Sequence, residues 1–284
     1  MSFVITIDTD RWRAHQDTVR DAIAATGATL VPVAKGNGYG VGNARLALEA
    51  SRLGADSLAV GTVYEVAEVL EAQPELSVLV LEPFTLRERV TAEAWLALAA
   101  HPDARRVIHT IASPEAAADL AAMATVESPR RVVLEGLTSM RRFGMTEDQV
   151  AAAITALAAH LASGAVQLEG LALHLPIATP EEPRIGSMAM LTNDDSSPTP
   201  VIVGSARVHE VVAWGLLWPT LLANLAGPAD AGSLWLSHLD DTEAQQVRAA
   251  LPDQDVRLRV GTRLWLGERS ALLVAASAGE LTPL

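Results

Sequence analysis

Short apolar, β-branched runs alternate with Ala- and Leu-rich helical patterns along nearly the whole chain, and this rhythm limits the fold more than any other feature. Strands are expected near Leu30–Ala34, Ser57–Val60, Ser77–Leu81, Arg106–His109, Arg131–Leu134, Gln167–Leu173, Ser233–Leu236 and Val256–Val260. Helical stretches fall between them, such as Ala44–Leu53, Val63–Ala72, Pro114–Ala122, Glu147–Ala162 and Thr242–Ala250, after an opening helix of about Asp10–Thr26. Ser113 before Pro114 and Glu115 reads as an N-cap with proline in the first turn, and Thr146–Gln149 as a capping box. Strands alternating with helices imply an α/β fold with a parallel sheet. Eight such units in about 250 residues imply a closed (β/α)8 TIM-like barrel. An open doubly wound sheet is the alternative, and periodicity alone does not separate the two.

The stretch Pro176–Gly204 breaks the rhythm after the sixth strand, with loop-like Thr179–Pro183 and Asn193–Pro198. It is expected to be a long insertion, either a lid or a disordered segment. No internal repeat and no linker to a second complete domain is evident. Residues 1–267 are therefore expected to form the barrel, with 268–284 a short C-terminal tail.

Composition narrows the function classes. There are no cysteines, which removes disulfides, thiolate metal sites and a cysteine nucleophile. A net charge of −13 without a basic run argues against nucleic acid as a partner. No apolar run of membrane-spanning length occurs, and Met1–Arg13 lacks a signal peptide's layout. A soluble, cytoplasmic protein with no membrane partner is expected. Of the 21 basic residues, one alone is lysine, Lys35. Arginine can replace lysine on most solvated surfaces, but it cannot form a Schiff base.

In barrels the active site forms at the C-terminal ends of the strands. Those ends read Lys35, Gly61/Thr62, Glu82, His109, Glu135, His174, Ser237/His238 and Arg259/Gly261. The first is the most specific: a strand delivers the lone lysine into Gly36-Asn-Gly-Tyr-Gly40, where glycines let the backbone approach a ligand closely.

Ala34-Lys-Gly-Asn-Gly-Tyr-Gly40 resembles the cofactor-lysine motif of alanine racemases, fold-type III pyridoxal-phosphate enzymes. Three further segments follow in that family's order: Thr138–Gly144, Gly170–His174 and Arg259–Gly267. Together they span about Ile5–Gly267. The resemblance implies that Lys35 forms the Schiff base with pyridoxal 5'-phosphate and transfers a proton. It implies that Tyr39, Ser237 and the backbone amides of Gly261 and Thr262 bind the cofactor phosphate. Arg259 would face the pyridine nitrogen, Arg142 the phenolic oxygen, and His174 would order the surrounding hydrogen bonds. A guanidinium cannot accept a proton from the ring nitrogen, which suits proton removal and return at an α-carbon over transamination.

The chain also departs from the family. Glu135 stands where a carbamylated lysine is common, and an ion pair between Glu135 and Arg142 is expected. Leu137 replaces an aspartate and Val41 a histidine. The family's second, β-rich domain supplies a tyrosine as the opposite-face base, and the chain stops at Leu284, about where that domain begins. Its two tyrosines are Tyr39 and Tyr64. The remaining ionisable candidates for a second base are His174, His109 and water.

The expected function is a pyridoxal-phosphate-dependent amino-acid racemase, an isomerase acting on a small amino acid with alanine as the substrate the resemblance suggests, and a possible homodimer. The alternative is a non-catalytic pyridoxal-phosphate binding or homeostasis protein of the same fold. No metal site is expected, because the histidines lack metal-ligand spacing.

Overall fold

The computed structural model describes residues 3–177, 204–223, 232–267 and 273–278. Eight parallel strands form one sheet: β2 Thr29–Pro32, β3 Ser57–Val60, β4 Ser77–Pro83, β5 Val107–Ile111, β6 Arg130–Gly136, β7 Val166–His174, β8 Ser233–Ser237 and β9 Asp255–Val260. Their order is β2-β9-β8-β7-β6-β5-β4-β3. The seam between β2 and β3 is closed by a bridge from Val33 to Ala59 and by the Ala34 amide donating to the Ala59 carbonyl at 2.7 Å. The sheet is thus a nearly closed (β/α)8 barrel, and the open-sheet alternative is ruled out.

Among the described residues one α-helix separates each pair of successive strands: α2 Asn43–Arg52, α3 Val66–Ala72, α4 Arg89–Ala99, α5 Pro114–Met123, α6 Glu147–Ser163, α7 Ala206–Leu222 and α8 Asp241–Ala250. Helix α1 Thr9–Ala25 precedes the barrel, and a short α9 Thr262–Leu266 follows it. The caps form as the residue types require. The Ser113 side chain accepts from the Ala116 amide, and Thr146 and Gln149 make a reciprocal box. Outside the barrel, β1 Phe3–Ile7 pairs antiparallel with β10 Leu273–Ala278, so part of the 268–284 tail returns to the start of the chain. The insertion expected over 176–204 lies almost wholly outside the described residues.

Side chains alternate inward and outward along each strand. The inward set includes Val31, Val33, Ala59, Leu79, Ile108, Val133, Ala172 and Trp235, which pack as one apolar plug. A larger cluster fills the layer between strands and helices. All six tryptophans are buried and serve as packing residues. Below the plug, charged pairs close the N-terminal end of the barrel. Arg131 binds Glu169 at 2.7 Å, and Arg257 binds Asp56 at 2.7 Å while lying over the Trp235 ring. The C-terminal end, the mouth, is built differently.

Candidate active site

The inward alternation carries past the plug to a top layer formed by Lys35, Gly61, Leu81, Thr110, Glu135, His174, Ser237 and Arg259. Lys35 is exposed, two residues beyond the plug residue Val33. Its loop is held by Glu65, which the sequence reading did not single out. Glu65 Oε1 accepts from the Asn37 amide at 3.1 Å, and Oε2 accepts from the amides of Gly61 and Thr62 at 2.8 and 3.0 Å. A capping box, Thr62 with Glu65, was the signal that could have revealed it.

Arg259 is almost fully buried. Nη2 donates to the Leu173 carbonyl at 2.8 Å, and Nε has no partner among the described residues. Burial pushes the Arg259 pKa down, opposed by the negative charge of Glu135. Glu135 is buried on the opposite side, where desolvation raises its pKa against the pull of Arg259 and Arg142. The expected direct ion pair of Glu135 with Arg142 does not form: Arg142 is exposed, stacks over Phe143, and acts on Glu135 only through its field. The loop carrying Arg142 is tied down elsewhere. The Thr138 hydroxyl donates to the His174 carbonyl, the Ser139 hydroxyl donates to Glu210 at 2.8 Å, and the Trp214 indole donates to the Leu137 carbonyl at 3.3 Å.

His174 and Ser237 sit side by side, with the Ser237 hydroxyl 3.2 Å from Nδ1 of His174. Burial first, and then the charges of Arg259, His238, Arg142 and Lys35, push His174 down to about 3, so its ring is neutral. His238 lies edge-on to His174 with ring centroids 4.8 Å apart. Thr262 is buried, and its hydroxyl is committed to the Val33 carbonyl at 2.6 Å, which leaves its amide as the group free by geometry to face a ligand. Tyr39 is half exposed and Gly38 beside it is buried.

Among the described residues, four non-glycine residues have positive φ: Asn37, Tyr39, Arg141 and His238. All four lie in loops at the mouth, where stored backbone strain is associated with function. Two residues read as mouth groups are not there. His109 turns outward from β5 to pack against Phe84 and Trp95, with ring centroids 5.7 and 5.0 Å away. It is therefore removed as a candidate base. Glu82 follows the inward Leu81 on β4 and lines a cleft of about 550 Å³ with Phe84, Ser113 and Phe143, of whose lining Lys35 is not part.

The mouth suits a flat, anionic, phosphorylated ring. Arg259 offers a buried donor without a partner, a Cβ at Gly261 would meet nothing within 4 Å, and Lys35 and Arg142 add positive charge to an otherwise acidic protein. Gly261 caps α9, which follows the eighth barrel strand, with no side-chain hydrogen bond to its first-turn amides.

A (β/α)8 barrel with a single lysine at the end of its first strand and a buried arginine at the end of its last defines the class. The chain belongs to the family described as alanine racemase, N-terminal domain, whose model matches residues 7–195. Similar solved structures include the alanine racemase of Oenococcus oeni, 19% identical with TM-score 0.56, matching 97% of this chain and 70% of its own. The Bartonella henselae alanine racemase, with covalently bound pyridoxal phosphate, is 14% identical with TM-score 0.60, matching 97% and 68%. The D-threo-3-hydroxyaspartate dehydratase of Delftia sp. HT23 is 17% identical with TM-score 0.59, matching 95% and 62%. At these identities the likeness establishes the fold. The chain spans about two thirds of the length of these structures. Among curated proteins no relative matches significantly. Among the described residues, no helix is long and apolar enough to cross a membrane, and no group of three His, Asp or Glu residues is arranged for a metal ion.

Proposed function

We propose that this chain is a pyridoxal 5'-phosphate-dependent amino-acid racemase, with alanine as substrate. The observation that carries the reading is the lone lysine presented at the barrel mouth together with a buried, half-satisfied Arg259. Lys35 holds the cofactor aldehyde and moves a proton on one face of the substrate. Arg259 meets the pyridine nitrogen and, having no acceptor, keeps it unprotonated. Arg142 faces the phenolic oxygen. Tyr39, Ser237 and the amides of Gly261 and Thr262 hold the phosphate, and neutral His174 keeps Ser237 in place. When bound, the cofactor withdraws the electron pair left on the α-carbon as a proton departs. Residues 1–267 supply this machinery. A homodimer and a cytoplasmic setting accompany the reading.

A second reading, a non-catalytic pyridoxal-phosphate carrier, is favoured by the scarcity of tyrosine: Tyr39 serves the phosphate, and Tyr64 is exposed at the start of the helical segment after β3. One experiment separates the two. Protein loaded with the cofactor should show a visible absorption band that Lys35→Ala abolishes. Incubation with L-alanine in heavy water should then give deuterium at the α-carbon with loss of optical rotation. A band without exchange marks the carrier, and a protein that ignores the cofactor ends both readings.

A further inference from the structure

Strand β6 ends at Gly136, and the chain returns beside it at Met145, where the Leu137 amide donates to the Met145 carbonyl at 2.8 Å. The loop between carries Arg142. Among the described residues no carboxylate pairs with Arg142, whose guanidinium carbon lies 5.2 Å from the Phe143 ring centre. The root of this exposed side chain is therefore set by the loop backbone. That backbone turns at Thr138–Arg141: the Arg141 amide donates to the Thr138 carbonyl at 2.9 Å, and Arg141 takes a φ of 50°. Inside the turn Ser139 is gripped from another element. Its amide donates to Glu210 Oε1 at 2.5 Å, and its hydroxyl donates to Oε2 at 2.8 Å. We propose that Glu210 is a positioning residue for Arg142. It fixes the turn from which Arg142 reaches the cofactor's phenolic oxygen, and touches neither cofactor nor substrate. The inference rests on Arg142 facing that oxygen.

Two attachments fix both where Ser139 sits and how it is turned, and bonds to a carboxylate are stronger than bonds to a neutral acceptor. Glu210 can hold the loop because its own helix is held. One turn earlier on α7, Arg207 forms a buried ion pair with Glu243 of α8 at 2.6 Å. One turn later, the Trp214 indole donates to the Leu137 carbonyl at 3.3 Å. Arg207, Glu210 and Trp214 are spaced three and four residues apart, so one face of α7 meets α8 and the Arg142 loop together. The other anchors act at the base of the turn, on Leu137 and on Thr138, whose hydroxyl donates to the His174 carbonyl. Among the described residues, Glu210 is the side chain that grips the turn beyond Thr138.

Two measurements test the assignment. In the cofactor-free protein, hydrogen exchange should show the Ser139 amide protected although its loop is exposed. Glu210→Ala should speed that exchange by about tenfold or more, and Glu210→Gln, which keeps an acceptor for the amide, should not. A Ser139 amide unprotected in the wild type overturns the proposal without any use of activity.

Cofactor titration, read at the visible absorption band, then gives the affinities of wild type, Glu210→Ala, Arg142→Ala and the double variant. Glu210→Ala should weaken binding by about fivefold to tenfold while Arg142 is present, and by less than about twofold in the Arg142→Ala background. Equal losses in both backgrounds overturn the proposal, because a clamp that only stabilises the fold weakens binding whatever stands at 142. Ser139→Ala, which removes only the hydroxyl bond at an exposed position, carries the same cycle should Glu210→Ala fail to fold. Two results refute the underlying reading and take the inference with it: unchanged affinity in Arg142→Ala removes Arg142 from the cofactor, and a wild type that ignores the cofactor removes the site.

Discussion

Arg259 is held by a carbonyl of the barrel wall: Nη2 donates to Leu173 O at 2.8 Å, while among the described residues no carboxylate pairs with it directly. A buried cation with one neutral partner and an orphaned Nε is poised to meet an acceptor that is not itself charged. The substitution Arg259→Glu replaces a fixed cation with a group that can accept a proton from a ring nitrogen. Racemisation is expected to fall by about 10²-fold, with keto acid accumulating from amino transfer. Assay of both products decides it; a variant that racemises normally and forms no keto acid contradicts the placement of Arg259.

Glu65 ties the lysine loop to the end of β3 through three backbone amides. Glu65→Ala leaves those donors unpaired in a part-buried setting. A stability loss of about 1–3 kcal/mol is expected, read as a shift in urea midpoint. Cofactor titration should also show weaker binding, by about tenfold for each 1.4 kcal/mol of loop ordering lost. Equal affinity in wild type and variant would show that the loop holds its shape without Glu65.

Gly170 adopts φ 132° at the bulge in β7, and a Cβ added there would lie 1.9 Å from the Ser233 carbonyl oxygen. Neither the backbone nor β8 can yield without opening the sheet. Gly170→Ala should destabilise the protein by more than about 4 kcal/mol or prevent folding. Gly164→Ala is the control: its φ is also positive, at 78°, but a Cβ meets nothing within 4 Å, and about 1 kcal/mol is expected there. Thermal melts that rank the two the other way would refute the steric account.

His109 is buried against Phe84 and Trp95, and burial pushes its pKa from 6.5 down to about 4. Between those values the unfolded chain binds a proton that the native state refuses. Native stability therefore rises with pH across the window, and is lost as pH falls from about 6.5 toward 4. The ring accounts for up to about 3 kcal/mol of that loss. Urea midpoints at pH 7 and pH 4.5 should differ less in His109→Phe than in wild type; an unchanged difference would place the acid sensitivity elsewhere.

The eight barrel strands and their flanking caps were legible because each is specified locally, by apolar runs and by cap residues a few positions apart. Strand ends were less so. The fourth barrel strand, β5, was read to end at His109, whereas it runs to Ile111, and the inward residues are Ile108 and Thr110. Because side chains alternate with a period of two, His109, between the inward Ile108 and Thr110, faces the helices and not the barrel interior. Helix α7 escaped the reading because it is apolar on nearly all sides, so no stripe marks it, yet its Glu210 and Trp214 anchor the Arg142 loop.

By itself the sequence determined the barrel's unit count, the identity of its one primary amine and the order of its strand-end motifs, since these depend on residue type and spacing along the chain. The tertiary structure alone decided that Arg259 leans on Leu173, that Glu135 and Arg142 stay apart, and that His109 leaves the mouth. Each of those depends on strands brought together from distant parts of the chain, and local periodicity carries no record of which side chains will meet there.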